Sequence, residues 1–213
     1  FYAKKLGLIT IGGFLKNISD VFYLQPTLLK NLPDTTLWEE LPLDTYPGLM
    51  GGLTQFYVNS PYDAQLKGLE AEWQSNFNWL PGAWNGLVVN ANYTRVWSET
   101  KYMQHRVDRV SIPVFPYTQL VENDTFYVNR LLHQPKDIAN VSLGYDYKGF
   151  SARLSFRFQG NVIRAIGTSP EQNEYTNDVY KYDFVVKQKI PLKFADLEVF
   201  LNAINFTNVP QTR

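Results

Sequence analysis

The chain of 213 residues balances 20 Lys and Arg against 20 Asp and Glu, which argues against a general nucleic-acid binder, because that needs a basic face to displace phosphate counterions. It has no cysteine and only two histidines, His105 and His133, so disulfide scaffolds, thiolate metal sites and cysteine nucleophiles are excluded and an imidazole cluster has little to draw on. Aromatic residues reach 15% while charged residues stop at 19%, below the roughly 25% of ordinary soluble domains.

In chain order, the first expected element is a strand over 2–24, rich in β-branched and aromatic residues. Its two faces are not distinguishable, because both registers mix Gly, Leu, Ile and Lys. A long irregular loop is expected over 25–51, where Pro26, Pro33, Pro42 and Pro47 remove ladder donors. The strand over 52–79 then alternates cleanly from Lys67 onward. Leu69, Ala71, Trp73, Ser75, Phe77 and Trp79 share one face, and Glu70, Glu72, Gln74, Asn76 and Asn78 the other. A short turn at 80–85 leads into a strand over 86–103, with Leu87, Val89, Ala91, Tyr93 and Trp97 opposing Asn90, Asn92, Thr94 and Ser98. A second long loop, over 103–129, contains Pro113 and Pro116.

Strands over 130–147 and 150–166 follow, joined at Tyr147-Lys148-Gly149. In the first, Ala139, Val141, Leu143 and Tyr145 oppose Asn140, Ser142, Gly144 and Asp146. In the second, Phe150, Ala152, Leu154, Phe156 and Phe158 oppose Ser151, Arg153, Ser155, Arg157 and Gln159. An irregular stretch near 167–176 precedes a strand over 176–190, where Tyr180, Tyr182, Phe184 and Val186 oppose Lys181, Asp183 and Lys187, though Val185 breaks the polar face. A turn at 191–196 and a less regular strand over 196–208 complete the pattern.

No run of about 18 apolar residues offers a membrane helix, and the mean hydropathy is −0.27. The strands, however, exceed the roughly 9–11 tilted residues that cross a bilayer. One apolar face, one polar face, and short turns alternating with long loops describe an all-β, antiparallel transmembrane β-barrel. Trp79, Trp84, Trp97 and Tyr102 near strand ends suit interfacial girdles. The alternative is a soluble sandwich, whose strands average about 5–6 residues and whose solvent face carries more charge. Seven strands is an odd number, whereas single-chain bacterial barrels have even ones, so the expectation is a barrel segment. The opening Phe1-Tyr2-Ala3-Lys4-Lys5 has no signal-peptide pattern, and any targeting signal is expected upstream.

The stretch Lys67-Gly68-Leu69-Glu70-Ala71-Glu72-Trp73, the turn at Leu80-Pro81-Gly82 and the run Asn90-Ala91-Asn92-Tyr93-Thr94 resemble TonB-dependent receptors of the bacterial outer membrane. So does Gln134-Pro135-Lys136-Asp137-Ile138-Ala139-Asn140-Val141-Ser142-Leu143-Gly144-Tyr145-Asp146. Asn202-Ala203-Ile204-Asn205-Phe206-Thr207-Asn208 is similar to the family's penultimate-strand motif, with Phe206 where Leu is usual. The wording is most similar to receptors of Bacteroidota. The resemblance implies that residues 1–213 are the C-terminal part of a plugged barrel of roughly 22 strands, with the plug domain, TonB box and final strand elsewhere.

It also implies active, TonB-driven uptake of a scarce nutrient (glycan, peptide, siderophore or cobalamin), with outer-membrane lipid, the plug, the other strands, TonB and a surface lipoprotein as partners and no cofactor. Trp38, Tyr46, Tyr102, Phe115, Tyr117, Phe126 and Tyr127 in the loops are candidates to stack on a ligand; the plainer expectation is that they pack the loops together or form the girdle. Glu70, Glu72, Arg153 and Arg157 face the lumen, as path-lining groups or, more plainly, as cross-strand and plug partners.

An enzymatic reading of His133, Asn140 and Ser142 lacks a base placed against a nucleophile. Glu122 and Asp124 lack the dense carboxylate spacing of a calcium loop. The sequons at Asn92 and Asn140 fall in expected strands, so neither reads as an acceptor site. Two other functions stay open: a soluble aromatic-rich β-domain binding polysaccharide, and a barrel serving as a structural subunit of a surface complex.

Overall fold

Segments with one apolar and one polar face pair edge to edge, because alternation lets neighbouring strands share both faces in register. The computed structural model of the chain describes residues 2–3, 5–28 and 53–207, and it is all-β with antiparallel strands. These are β1 (Tyr2–Ala3), β2 (Gly7–Ile18), β3 (Phe22–Leu28), β4 (Leu53–Asn59), β5 (Ala64–Asn76), β6 (Leu87–Ser111), β7 (Thr118–Asn129), β8 (Asp137–Tyr147), β9 (Phe150–Gln159), β10 (Ile163–Ala165), β11 (Glu174–Tyr175), β12 (Val179–Pro191) and β13 (Asp196–Ala203). No helix among the described residues is long and apolar enough to cross a membrane.

The main sheet runs β1-β2-β5-β6-β8-β9-β12-β13, with β7 paired to the far part of β6. Among the described residues it is open, with β2 at one edge, paired on its outer side only with the two-residue β1, and β13 at the other. One row of direct cross-strand partners is Thr10, Glu72, Asn92, Asn140, Arg157 and Lys181, polar throughout. The adjacent row is Ile11, Ala71, Tyr93, Ala139, Phe158 and Tyr180, with a single hydroxyl-bearing ring type among apolar groups. The sheet therefore has one apolar and one polar face across all its long strands. No second layer covers the apolar face among the described residues, and Ile11, Leu69, Leu143 and Leu201 stand exposed on it.

The ambiguous facing of the first strand resolves here. Ile9, Ile11 and Leu15 pair into the apolar face, while Thr10 and Gly12 join the polar one. Phe14 also lies on the polar side, but there it packs against Ala64, Leu66, Val96 and Leu131 at the strand's far end. Its apolarity belongs to local packing, which is what blurred the alternation.

The two ends of the sheet differ. At one, connections are tight. Lys148 (φ 47°) and Gly149 (φ 82°) bridge the Tyr147–Phe150 pair, the two positive φ values of a two-residue turn whose twist matches its strands. At the other end the chain makes paired structure where irregular loops were expected. Residues 100–111 pair with 118–129 in full register, leaving only 112–117, with both prolines, as the turn. Gln25 and Pro26, expected in the first loop, lie in β3 and pair with Phe56 and Gln55 of β4. The expected strand over 150–166 stops at Gln159, and Ile163 pairs with Tyr175 instead.

The buried core of this end draws on those hairpins: Tyr23 of β3, Tyr102 of β6, Ile163 of β10 and Ile166, with Val58, Tyr127 and Leu132 against them. Burying such aromatic bodies contributes about 1.5–3 kcal/mol for each large side chain. It also locks three separate connections into one cap over the end of the sheet.

Candidate functional site

The polar face carries the four charged residues expected to share it. Glu70 and Glu72 stand on β5, Arg153 and Arg157 on β9, two strands apart across β6 and β8. Between them runs an amide chain. Arg157 Nε donates to Asn140 Oδ1 at 3.2 Å, and Asn140 Nδ2 donates to Asn92 Oδ1 at 2.9 Å. Two shallow grooves follow this line, of about 280 Å³ beside Glu70 and Glu72 and about 330 Å³ beside Arg157 and Asp183, and Asn92 lines both. Arg153 is committed to Asp146, with Nη1 donating to Oδ1 at 3.1 Å. Glu72 accepts from Gln74. The result is a polar trough, acidic at the β5 side and basic at the β9 side, bridged by neutral amides that both donate and accept.

The loop aromatics separate into distinct places. Trp38 and Tyr46 lie outside the described residues. Tyr102 is 1% exposed. Its ring meets Tyr23 edge-on at 5.1 Å and Tyr127 at 5.8 Å, and its hydroxyl donates to Arg130 O at 3.1 Å while accepting from Leu132 N at 2.9 Å. Tyr127 donates to Asn173 Oδ1 at 2.9 Å, which also accepts from Gly167 N. These two tyrosines join connections to one another and offer little ring surface to a ligand.

Phe126 is exposed, with Lys101 Nζ 4.4 Å from its ring centre and Tyr62 tilted against it at 5.4 Å. Phe115 and Tyr117 sit at the tip of the β6–β7 hairpin, edge to face at 5.9 Å, and Phe115 is 81% exposed. The structure brings Tyr102 to Tyr127 and Phe115 to Tyr117, but the five candidates among the described residues form no single aromatic surface.

Burial raises the phenol pKa of Tyr23, Tyr102 and Tyr127 above the ordinary tyrosine value, most strongly for Tyr102, against the lowering effect of the hydrogen bonds each hydroxyl makes. All three are neutral donors and acceptors at ordinary pH. Sequence reading missed Tyr23, Asn173 and Ile163. Tyr23 was hidden inside a strand of undecided facing, and nothing local distinguishes Asn173 from any loop amide.

Ser142 Oγ lies 3.4 Å from Ser155 Oγ on the polar face, while His133 lies in the connection before β8 with its backbone N–H bonded to Ile163 O. Among the described residues no group of three or more His, Asp or Glu is placed to hold a metal ion. Comparison with family models, with curated proteins and with solved structures returned no match for this chain.

Proposed function

We propose that the chain forms part of the wall of an outer-membrane β-barrel of the TonB-dependent receptor kind, imported nutrients passing its polar face. The observation that carries this reading is the uncovered apolar face. Lipid is the solvent that removes the cost of leaving rows such as Ile11, Ala71, Tyr93, Ala139, Phe158 and Tyr180 without a protein partner. A soluble sandwich would lay a second sheet over them at about 10 Å.

The two open edges fit the same reading. An unpaired edge in hydrocarbon costs several kcal/mol per group, so β2 and β13 each call for further strands, and a receptor of roughly 22 strands supplies them. The short-turn end faces the periplasm and the capped end faces outward, as in barrels with short inner turns and long outer loops. The polar trough from Glu70 to Arg157 then lines the lumen, where it meets the plug or the cargo. The cap built on Tyr23, Tyr102 and Tyr127 holds the outer connections in shape, leaving Phe115, Tyr117 and Phe126 as the surface a ligand reaches first.

The test is to extract the native protein from outer membranes and compare boiled with unboiled samples on a gel. A large, heat-modifiable species that needs detergent is expected. A stable 24.6 kDa species that needs none would sink the reading and leave a soluble binding domain.

A further inference from the structure

At the capped end two neighbouring strands part company and leave a fork. β5 and β6 stay paired as far as Gln65↔Glu99. Beyond that point the chain bends over 60–63, where Ser60 Oγ accepts from Tyr62 N at 3.1 Å and Pro61 has no N–H to give. Past the bend, β4 pairs only with β3, and β6 from Thr100 to Ser111 only with β7. Among the described residues, one edge of β6 therefore meets no strand.

Which groups that edge offers follows from alternation, because successive residues of an antiparallel strand turn their N–H and C=O to opposite sides. Val96 N–H donates to Lys136 O on the β8 side and Ile112 N–H to Tyr117 O on the β7 side, whereas Leu87 O accepts from Phe77 N on the β5 side. Even-numbered residues of β6 thus bond toward β7 and β8, and odd-numbered ones toward β5 or, past the fork, toward the open side. Met103 N–H is met there by the Tyr23 hydroxyl at 3.4 Å. His105, Val107 and Arg109 follow, each turning a donor and an acceptor outward. β4 does the same from across the fork. Ser60 N–H donates to Val21 O on the β3 side, so Asn59, Tyr57 and Gln55 turn their backbone groups to the side on which β5 meets β6.

At the foot of the fork is a groove of about 560 Å³ whose walls include Tyr62, Asp63, Glu99 and Lys101. The Lys101 ammonium lies over the Phe126 and Tyr62 rings, at 4.4 and 5.2 Å. With that cation drawn onto the rings, the Glu99 and Asp63 carboxylates leave the groove acidic.

Donors and acceptors repeating at strand spacing are complementary to another extended backbone, which satisfies them in series. We propose that the fork captures an extended peptide by strand addition, its backbone pairing with His105, Val107 and Arg109 and a Lys or Arg side chain reaching Glu99 and Asp63 in the groove. The fork itself rests on the strand ladder; that the captured peptide is cargo rests on the reading of this chain as a transporter wall.

The experiment places the protein in lipid nanodiscs and measures binding of a fluorescein-labelled nine-residue peptide of alternating Thr and Val with one Lys near its end. An analogue N-methylated throughout its centre, which keeps the side chains and loses the backbone donors, is expected to bind at least tenfold more weakly. Val107→Pro removes an N–H from the open edge and none from the β7 ladder, and is expected to weaken the unmodified peptide about tenfold. Glu99→Gln is expected to weaken it severalfold, and to leave a peptide with Thr in place of Lys unaffected. Equal binding of the N-methylated analogue overturns strand addition, and this comparison decides the matter even where Val107→Pro fails to fold. Native affinity in Val107→Pro, with the heat-modifiable band intact, overturns the assignment to this edge, and so does a native protein that binds no peptide. Peptide binding that follows this pattern in a protein without a heat-modifiable form upholds the fork and overturns the barrel reading.

Discussion

A phenol withdrawn from water resists ionisation, because burial penalises the phenolate more than the neutral hydroxyl. Tyr23, Tyr102 and Tyr127 are raised in this way at the capped end, and the sign of the consequence follows. Below the ordinary tyrosine value of about 10, packed and opened forms are both neutral and the cap keeps its full stability. As pH rises beyond it, the opened chain ionises first and the cap loses stability. Tyrosinate absorbance is therefore expected to show a late-titrating group of tyrosines together with protease sensitivity over 100–129 at high pH; simultaneous titration of all tyrosines near 10 would contradict the packing. Tyr102→Phe strips the hydroxyl that serves Leu132 N and Arg130 O and is expected to cost about 1–3 kcal/mol of cap stability, read as faster hydrogen exchange at 130–132. Tyr102 and Tyr127 were visible in the sequence as aromatics in a long connection, but their burial was not. It depends on Tyr23, Ile163 and Ile166 arriving from distant segments, which no local pattern encodes.

At the level of elements, what the sequence made legible was the strand interior. Where both faces stay uniform over many residues, as in β5 from Leu69 onward, β8 and β9, alternation fixed type and facing but not the ends: the strand expected over 52–79 divides into β4 and β5, that over 130–147 begins at Asp137, and that over 150–166 stops at Gln159. It failed where faces change character along a strand. β6 passes from a sheet with one apolar face into a hairpin whose two faces are mixed, so its extension read as a loop, and the two prolines that encouraged that reading occupy only the turn. The Lys148-Gly149 turn is the opposite case, short and strongly specified. Both residues need positive φ, which costs a residue with a Cβ about 1–2 kcal/mol; a Cβ at Gly149 would also meet Lys189 O at 2.8 Å. Gly149→Ala is expected to lower refolding yield in detergent, and Lys148→Asn, which tolerates this backbone better, to raise it. Equal yields for both variants would mean that the turn does not guide the β8–β9 pairing.

Across the whole molecule, the account turns on which solvent meets the apolar face. The antiparallel, two-faced sheet was legible because its register keeps alternation in phase over every long strand. The capped end was not, because it is tertiary. If the face meets lipid, Leu143→Arg is expected to cost about 2–4 kcal/mol near the bilayer middle and to reduce the folded, heat-modifiable band. Ser142→Arg on the polar face is expected to leave that band largely intact. Similar losses for both would place the two faces in one environment.

The most direct measurement uses the absence of cysteine from this chain. Single cysteines are introduced in turn from Val141 to Asp146 of the protein in lipid bilayers, spin-labelled, and their collision rates measured with oxygen, which concentrates in lipid, and with a water-soluble nickel chelate. The account predicts a period of two, with Val141, Leu143 and Tyr145 favouring oxygen and Ser142, Gly144 and Asp146 favouring the nickel chelate. Labels at 141, 143 and 145 that meet the nickel chelate, or that meet neither reagent because protein covers them, would contradict it.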